Sequence, residues 1–142
     1  MAFAAVGAYA YFTSTGSGSG TVTAGATSGS ITLYAAGFDG ILPGDGGKTV
    51  TFTADNSNSQ TSLYVNKIQF ASVSSSNAGC QAVIDANAGQ FHMADVTSGT
   101  SVLPSASGQA LTGSGTLYWD NLNDLDQTPC AGKSLTLHVT SN

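Results

Sequence analysis

The sequence predicts an all-β fold: an antiparallel β-sandwich, jelly-roll or immunoglobulin-like, with an extended apolar N-terminal arm. Short β-prone runs alternate with clusters of Gly, Pro, Asn and Asp along most of the chain. The composition includes 18 glycines, no Glu and no Arg, and only 8% of residues are charged. Amphipathic helices are therefore not expected, because their outer faces normally carry such charges. No run of helical length separates the strands, as it would in βαβ units.

The 142 residues fit a single domain with an N-terminal extension. We divide the chain into an apolar arm (1–13), a flexible Gly/Ser linker (14–20) and a sandwich domain (21–142). The predicted strands are 30–36, 48–54, 62–73, 80–86, 90–96, 115–120 and 133–140.

Alternation defines which residues of these strands face the core. Val50 and Phe52 face inward between outward threonines, and Leu135, Leu137 and Val139 share one face of the last strand. In 62–73 the apolar residues change phase between Val65 and Ile68. A β-bulge near Asn66–Lys67 would reconcile the two halves.

The arm is unusual because residues 2–12, AFAAVGAYAYF, carry no charge. As a helix they would span about 16 Å, too short for a bilayer core of about 30 Å. They are either the tail of an export signal or anchor whose upstream part is absent, or a mature segment that packs as a strand. An extended arm is apolar on both faces, which suits a strand buried on both sides. The candidate interface residues are Phe3, Ala5, Val6, Tyr9, Tyr11 and Phe12.

The two cysteines, Cys80 and Cys130, have neither a metal-ligand spacing nor a CxxC spacing. In an exported chain they predict one disulfide, worth about 4 kcal/mol on the chain-entropy model for a loop of roughly 50 residues. The alternative is two buried free thiols.

Charge and motifs exclude several classes of function. Three lysines against eight aspartates give a net charge of −5, so no basic patch is expected to bind nucleic acid or an anionic membrane. A membrane would be contacted only through a possible precursor signal or anchor. No GxSxG or HExxH motif occurs. His92 and His138 lie within predicted strands, where a structural role is favoured. We expect no enzyme, no metal and no cofactor.

Two weaker candidate sites are a Ca²⁺ site and a sugar-binding site. Oxygen ligands for Ca²⁺ crowd one loop, but they lack the glycine and terminal Glu of an EF-hand, and a solvated loop is favoured. These residues are Asp120, Asn121, Asn123, Asp124 and Asp126. Trp119, Tyr118 and Tyr64 are candidates for a sugar-stacking platform. Alternation instead places Trp119 in the core with Leu117.

Three stretches of the chain, AYAYFTSTGSGSGTVTAG, ITLYAAGFDGILPGDGGKTVTFTADNSN and LYVNKI, resemble the TasA/camelysin group of biofilm-matrix proteins. The C-terminal DNLNDLDQTPCAGKSLTLHVTS is more similar to short anchored actinobacterial proteins of unknown role. The first resemblance implies a jelly roll whose N-terminal segment passes into a neighbouring subunit as a donor strand, and residues 2–13 occupy that place. The chain departs from the group in lacking a zinc motif and in its cysteine pair.

Two functional hypotheses follow. The first is a secreted structural subunit of an extracellular filament, pilus-like or a biofilm-matrix fibre, built as a homopolymer by donor-strand complementation. The second is a monomeric, surface-anchored sandwich with a ligand-binding or adhesive role.

Overall fold

The computed structural model describes residues 16–23 and 30–142, and it confirms the all-β sandwich. The strands of the described ranges are β1 (Gly16–Thr23), β2 (Ser30–Ala36), β3 (Lys48–Asn56), β4 (Leu63–Ser75), β5 (Phe91–His92), β6 (Val96–Val102), β7 (Gln109–Trp119) and β8 (Leu135–Ser141). The same ranges contain one α-helix, α1 (Ala78–Ala86), and two 3₁₀ turns, Ala88–Gln90 and Thr128–Cys130.

The strands form two antiparallel sheets that pack face to face. The first sheet has the order β5–β7–β3–β2–β1, and the second has the order β8–β4–β6. A short parallel pairing between β1 and β8 links the two sheets along one side. Strand β1 therefore lies at the seam where one sheet meets the other.

The core lies between the sheets and follows the predicted alternation. On β3 the side chains of Val50, Phe52 and Ala54 are buried, while Thr49 and Thr51 are exposed. The inward residues of the other long strands complete the core: Ile31, Leu33 and Ala35 of β2, Leu63, Val65, Ile68 and Val73 of β4, Leu111, Leu117 and Trp119 of β7, and Leu135, Leu137 and Val139 of β8.

The prediction of a strand over 80–86 was wrong, because this segment is helix α1. Its buried residues, Cys80, Val83 and Ile84, have the i, i+3, i+4 spacing of a helix face. The side chain of Asn77 caps the helix by accepting a hydrogen bond from the backbone N–H of Cys80 at 3.0 Å. The cap and the spacing are local signals that favour a helix over a strand.

Three other segments also differ from their predicted state. The predicted linker 14–20 is strand from Gly16 onward. In 90–96 only Phe91–His92 are strand before β6 begins at Val96, and β6 itself was not predicted because its inward positions include the small polar Ser98. Strand β7 begins at Gln109 rather than at 115.

The bulge predicted near Asn66–Lys67 is confirmed. The register of β4 against β6 shifts between Val65 and Lys67. A second shift, between Phe70 and Ser72, occurs against β8. Together the two shifts keep Leu63, Val65, Ile68 and Val73 in the core although their spacing is irregular.

Candidate functional site

The seam between the two sheets is the candidate functional site, because it receives the part of the chain that follows the arm. Strand β1 pairs antiparallel with β2 from Gly18↔Ala35 to Thr23↔Ser30. It pairs parallel with β8 only at Gly16↔Leu135 and Ser17↔Thr136. The chain thus enters the sandwich beside the start of β8 and then moves toward β2.

Glycines occupy two of the positions of β1 that face the core. The register pairs Gly18 with Ala35 and Gly20 with Leu33. Ala35 and Leu33 are both buried, and directly paired residues share a face of the sheet. Hence β1 contributes no side chain to the core at these two positions, and the backbone ladder is the interaction that holds it there.

The edge of β8 that faces away from β4 lies beside β1. β4 pairs with β8 on one side from Leu135 to Ser141. On the other side, within residues 16–23 and 30–142, the ladder with β1 includes only Leu135 and Thr136, although β1 continues beside β8 beyond them. The side chains of Leu137 and Val139 are nevertheless fully buried. The second half of β8 thus faces the core and lies between β4 and β1, with a regular ladder only on the β4 side among the described residues.

The residues predicted to form the donor strand, Phe3, Ala5, Val6, Tyr9, Tyr11 and Phe12, lie outside the described residues. The structure therefore gives the seam, and the sequence gives the arm that precedes it.

The predicted disulfide between Cys80 and Cys130 is confirmed. It joins α1 to the 3₁₀ turn Thr128–Cys130, and both sulfur-bearing residues are buried. The bond fixes the loop 120–134 to the helix, although these two segments are distant in sequence.

A buried polar network secures the same region. Gln90 Oε1 accepts hydrogen bonds from Trp119 Nε1 at 2.9 Å and from Gln127 Nε2 at 3.0 Å. Gln90 Nε2 donates to the carbonyls of Val83 and Asn87. The network satisfies the polar groups that burial would otherwise penalise. Because β7, α1 and the C-terminal loop all contribute to it, it is a structural centre of the domain.

The three rings considered for a sugar platform are not brought together. Trp119 is buried and stacks on Phe91 with ring centroids 4.9 Å apart. Tyr118 stacks on His92 at 5.1 Å and also covers Gly47, where an added Cβ would lie 2.8 Å from Tyr118 Cε1. Tyr64 is on β4, in the other sheet. The Tyr118 ring therefore packs on neighbours within its own sheet.

The two histidines make local contacts. His138 Nε2 lies 2.7 Å from Ser74 Oγ, a pairing between neighbouring strands of the second sheet. In the described part of the chain no carboxylate bonds to His138, so the orienting group of a catalytic triad is not in place. His92 Nδ1 lies 3.6 Å from Asp120 Oδ2, and both side chains are about half exposed.

In the loop considered for Ca²⁺, the carboxylate of Asp126 stabilises a turn. Asp126 Oδ1 accepts hydrogen bonds from the hydroxyl and the backbone N–H of Thr128. These bonds, the hydroxyl first, lower the pKa of Asp126. Among the described residues no three acidic, Cys or His side chains form a group suited to a metal ion.

Comparison with known proteins identifies no relative. The chain matches no protein-family model, no curated protein and no solved structure. In the described residues no helix has both the length and the apolar character needed to cross a bilayer.

Proposed function

We propose that this protein is a structural subunit of an extracellular filament, in which the N-terminal arm of each copy adds as a strand to the next copy. The observation that carries the proposal is the position of β1 at the seam between the sheets. Only two residues, Ser14 and Thr15, separate the arm from β1, so the arm is attached to a strand rather than to a distant loop.

The apolar character of the arm supplies the driving force. Phe3, Val6, Tyr9, Tyr11 and Phe12 have no charged neighbours within 2–12. Burying five such side chains at about 1.5–3 kcal/mol each gives roughly 8–15 kcal/mol of gross stabilisation, which opposes the entropic cost of ordering the arm. A head-to-tail contact of this kind does not close on itself, so it propagates into a fibre.

The rest of the domain suits a load-bearing extracellular role. A buried disulfide and a buried hydrogen-bond network restrain the half of the domain that follows β4. The exposed faces of β3 and β7 carry mainly threonine, serine and alanine. Such faces permit close lateral contact between copies because few charges need to be desolvated.

Electron microscopy of the purified chain tests the proposal directly. We expect fibres of constant width from the intact chain and none after deletion of residues 1–13. The truncated domain should remain folded with a lower Tm. A synthetic peptide of residues 1–13 should raise that Tm, because it binds the native state, and a scrambled peptide should not.

Two results would contradict the proposal. One is a truncated chain that still forms fibres of the native width. The other is a Tm of the truncated chain that the peptide leaves unchanged. In either case the monomeric surface-anchored module becomes the better description.

A further inference from the structure

We infer that the end of the sandwich formed by the turns 57–62 and 103–108 docks on the opposite end of a second copy, with Leu103 as its apolar anchor. The inference rests on the proposed filament and names a contact between copies that is separate from the arm. Three observations carry it: the distribution of charge between the two ends, the exposure of Leu103, and the hydrogen bonds that fix the turn around it.

One end of the domain is acidic. Strands β2, β4 and β7 finish there and β3 and β8 begin there, so this end carries the loops 37–47 and 120–134 and helix α1. Two of the three lysines, Lys48 and Lys133, belong to it. It also holds six of the eight aspartates: Asp39, Asp45, Asp85, Asp120, Asp124 and Asp126.

The opposite end is uncharged in its described turns. Strands β3 and β6 finish there and β4 and β7 begin there, and the turns 57–62 and 103–108 that join them contain no charged residue. The three remaining charged residues, Asp55, Lys67 and Asp95, lie within or beside strands. The domain therefore has an acidic end and an uncharged end.

This distribution selects how two copies can meet. Gly16 pairs with Leu135, the first residue of β8, so the arm that precedes β1 is attached at the acidic end. A neighbour that binds this arm lies beyond the acidic end. Two acidic ends in contact would bring like charges together, which disfavours that arrangement. Two uncharged ends in contact would leave both arm attachments far from the junction. The neighbour therefore presents its uncharged end.

The turn 103–106 is held rigidly at the uncharged end. Ala106 N–H donates to the Leu103 carbonyl at 3.1 Å, and Ser105 has a φ of +55°, a conformation that usually favours glycine. The buried Asn56 donates from Nδ2 to the Leu103 carbonyl at 3.1 Å, and Ser105 N–H donates to the Asn58 carbonyl at 2.8 Å. These bonds fix the backbone of the turn before any partner binds, which lowers the entropic cost of binding.

The turn presents an apolar side chain to solvent. Leu103 is 60% exposed, and Pro104 beside it is exposed as well. At the acidic end, Leu42 on one loop and Leu122 and Leu125 on the other are only partly buried. The two ends thus offer apolar contacts with polar neighbours, the mixture that is typical of subunit interfaces.

Cross-linking of two single-cysteine variants in co-assembled fibres tests the orientation. Ser107→Cys marks the uncharged end and Asn123→Cys marks the acidic end, and both positions are exposed. The native cysteines are bonded to each other, so they do not compete. We expect a short bismaleimide to join the two variants. Each variant assembled alone should give at least about tenfold less product, because a head-to-tail contact brings two different surfaces together.

Leu103→Ser in the Ser107→Cys chain tests the anchor. The side chain is exposed, so the Tm should be retained, while the yield of cross-linked product should fall at least about fivefold. Tyr64→Ser is the matched control, because Tyr64 is 63% exposed but lies on the outer face of β4 with its hydroxyl beside Gly99. It should leave the yield unchanged.

The possible failures are distinguishable. Fibres in which Ser107→Cys and Asn123→Cys do not join would overturn the end-to-end contact and leave the filament proposal standing. A similar yield from either variant alone would overturn the head-to-tail orientation. An unchanged yield from Leu103→Ser, or an equal loss from Tyr64→Ser, would overturn the role of Leu103. The absence of fibres from the unmodified chain would overturn the filament proposal and this inference with it.

Discussion

At the scale of single residues, Gly47 and Tyr118 form a packing unit that requires a glycine. Gly47 has a φ of +92°, and a Cβ at this position would lie 2.5 Å from Thr116 Cγ2 and 2.8 Å from Tyr118 Cε1. The Tyr118 ring covers the space that the missing side chain leaves open. This arrangement fixes the turn that precedes β3 against β7.

Replacement of this glycine should therefore be costly. We expect Gly47→Ala to lower the free energy of unfolding by about 1–3 kcal/mol, because it combines an unfavourable φ with a steric clash. Gly46→Ala is the matched control, since a Cβ there meets no atom within 4 Å. Urea denaturation of both variants measures the difference. Equal losses from the two substitutions would contradict the packing role of Gly47.

Gln90 is a second residue whose replacement should change the stability of the fold in a predictable way. Gln90→Leu removes the acceptor of Trp119 Nε1 and of Gln127 Nε2 while it keeps a similar volume. We expect a loss of about 2–4 kcal/mol, because several buried polar groups each lose a hydrogen bond. The fluorescence of Trp119, the single tryptophan of the chain, should shift in the folded state. Gln60→Leu, at an exposed turn position, should leave stability and emission unchanged.

Tyr34 provides a pH-dependent test. Its hydroxyl donates to Asp55 Oδ2 at 3.1 Å, and this hydrogen bond is the main cause that raises the pKa of Tyr34. Because folding raises this pKa, the hydrogen bond stabilises the folded state fully at pH values below the unfolded-state pKa of about 10. That stabilisation is lost as the pH rises through the folded-state pKa. The Tm difference between the wild type and Tyr34→Phe should shrink above about pH 10. A difference that stays constant from neutral to alkaline pH would argue against this role.

At the scale of elements, the disulfide is the main restraint between α1 and the C-terminal loop. Seven residues of β8 follow that loop, so its position also determines where the last strand begins. The helix and the 3₁₀ turn are short, and the disulfide joins them directly. A covalent bond between them therefore stabilises two elements that local propensity supports only weakly.

Removal of the bond should lower stability without changing the fold class. We expect Cys80→Ala combined with Cys130→Ala to lose about 2–5 kcal/mol. Denaturant midpoints and far-ultraviolet circular dichroism measure the two effects. The wild type unfolded in the presence of reductant should show a similar loss. A double variant as stable as the oxidised wild type would contradict a stabilising role for the disulfide.

At the scale of the whole molecule, the proposed filament is held by apolar burial and backbone pairing rather than by charge. The chain has only three lysines and eight aspartates. We therefore expect fibre formation by the intact chain to change little when ionic strength is raised about tenfold, since salt screens charge pairs and not strand addition. Sedimentation of fibres at low and high salt measures this. Fibres that dissolve at high salt would indicate an electrostatic interface instead.

A charged side chain placed in the arm, unlike added salt, should weaken fibre formation. Val6→Asp or Tyr9→Asp puts a carboxylate where the proposed filament would bury it without a partner, so fibres should be lost or strongly weakened. Ser17→Asp is the control, because it places the same charge at a polar position within β1. Microscopy at equal protein concentration is the readout. Normal fibres from both arm variants would contradict burial of the arm.

The sequence by itself determined the features that depend on local periodicity. Alternation located β2, β3 and β8 and assigned their inward residues. A phase change within one strand located the bulge after Val65. The scarcity of charge and the two cysteines predicted the all-β class and the disulfide. Each of these features depends on neighbouring residues or on composition, and none requires knowledge of which strands pair.

Only the tertiary structure decided the features that depend on distant partners. The composition of Gly16–Gly20 predicts a linker because glycine and serine have no strand preference. Pairing with β2 and β8 nevertheless makes these residues part of β1. β6 has few large apolar residues and is held by its ladder with β4. The parallel pairing of β1 with β8 joins segments more than 100 residues apart. Backbone pairing is long-range and insensitive to side-chain identity, so the local pattern does not encode it.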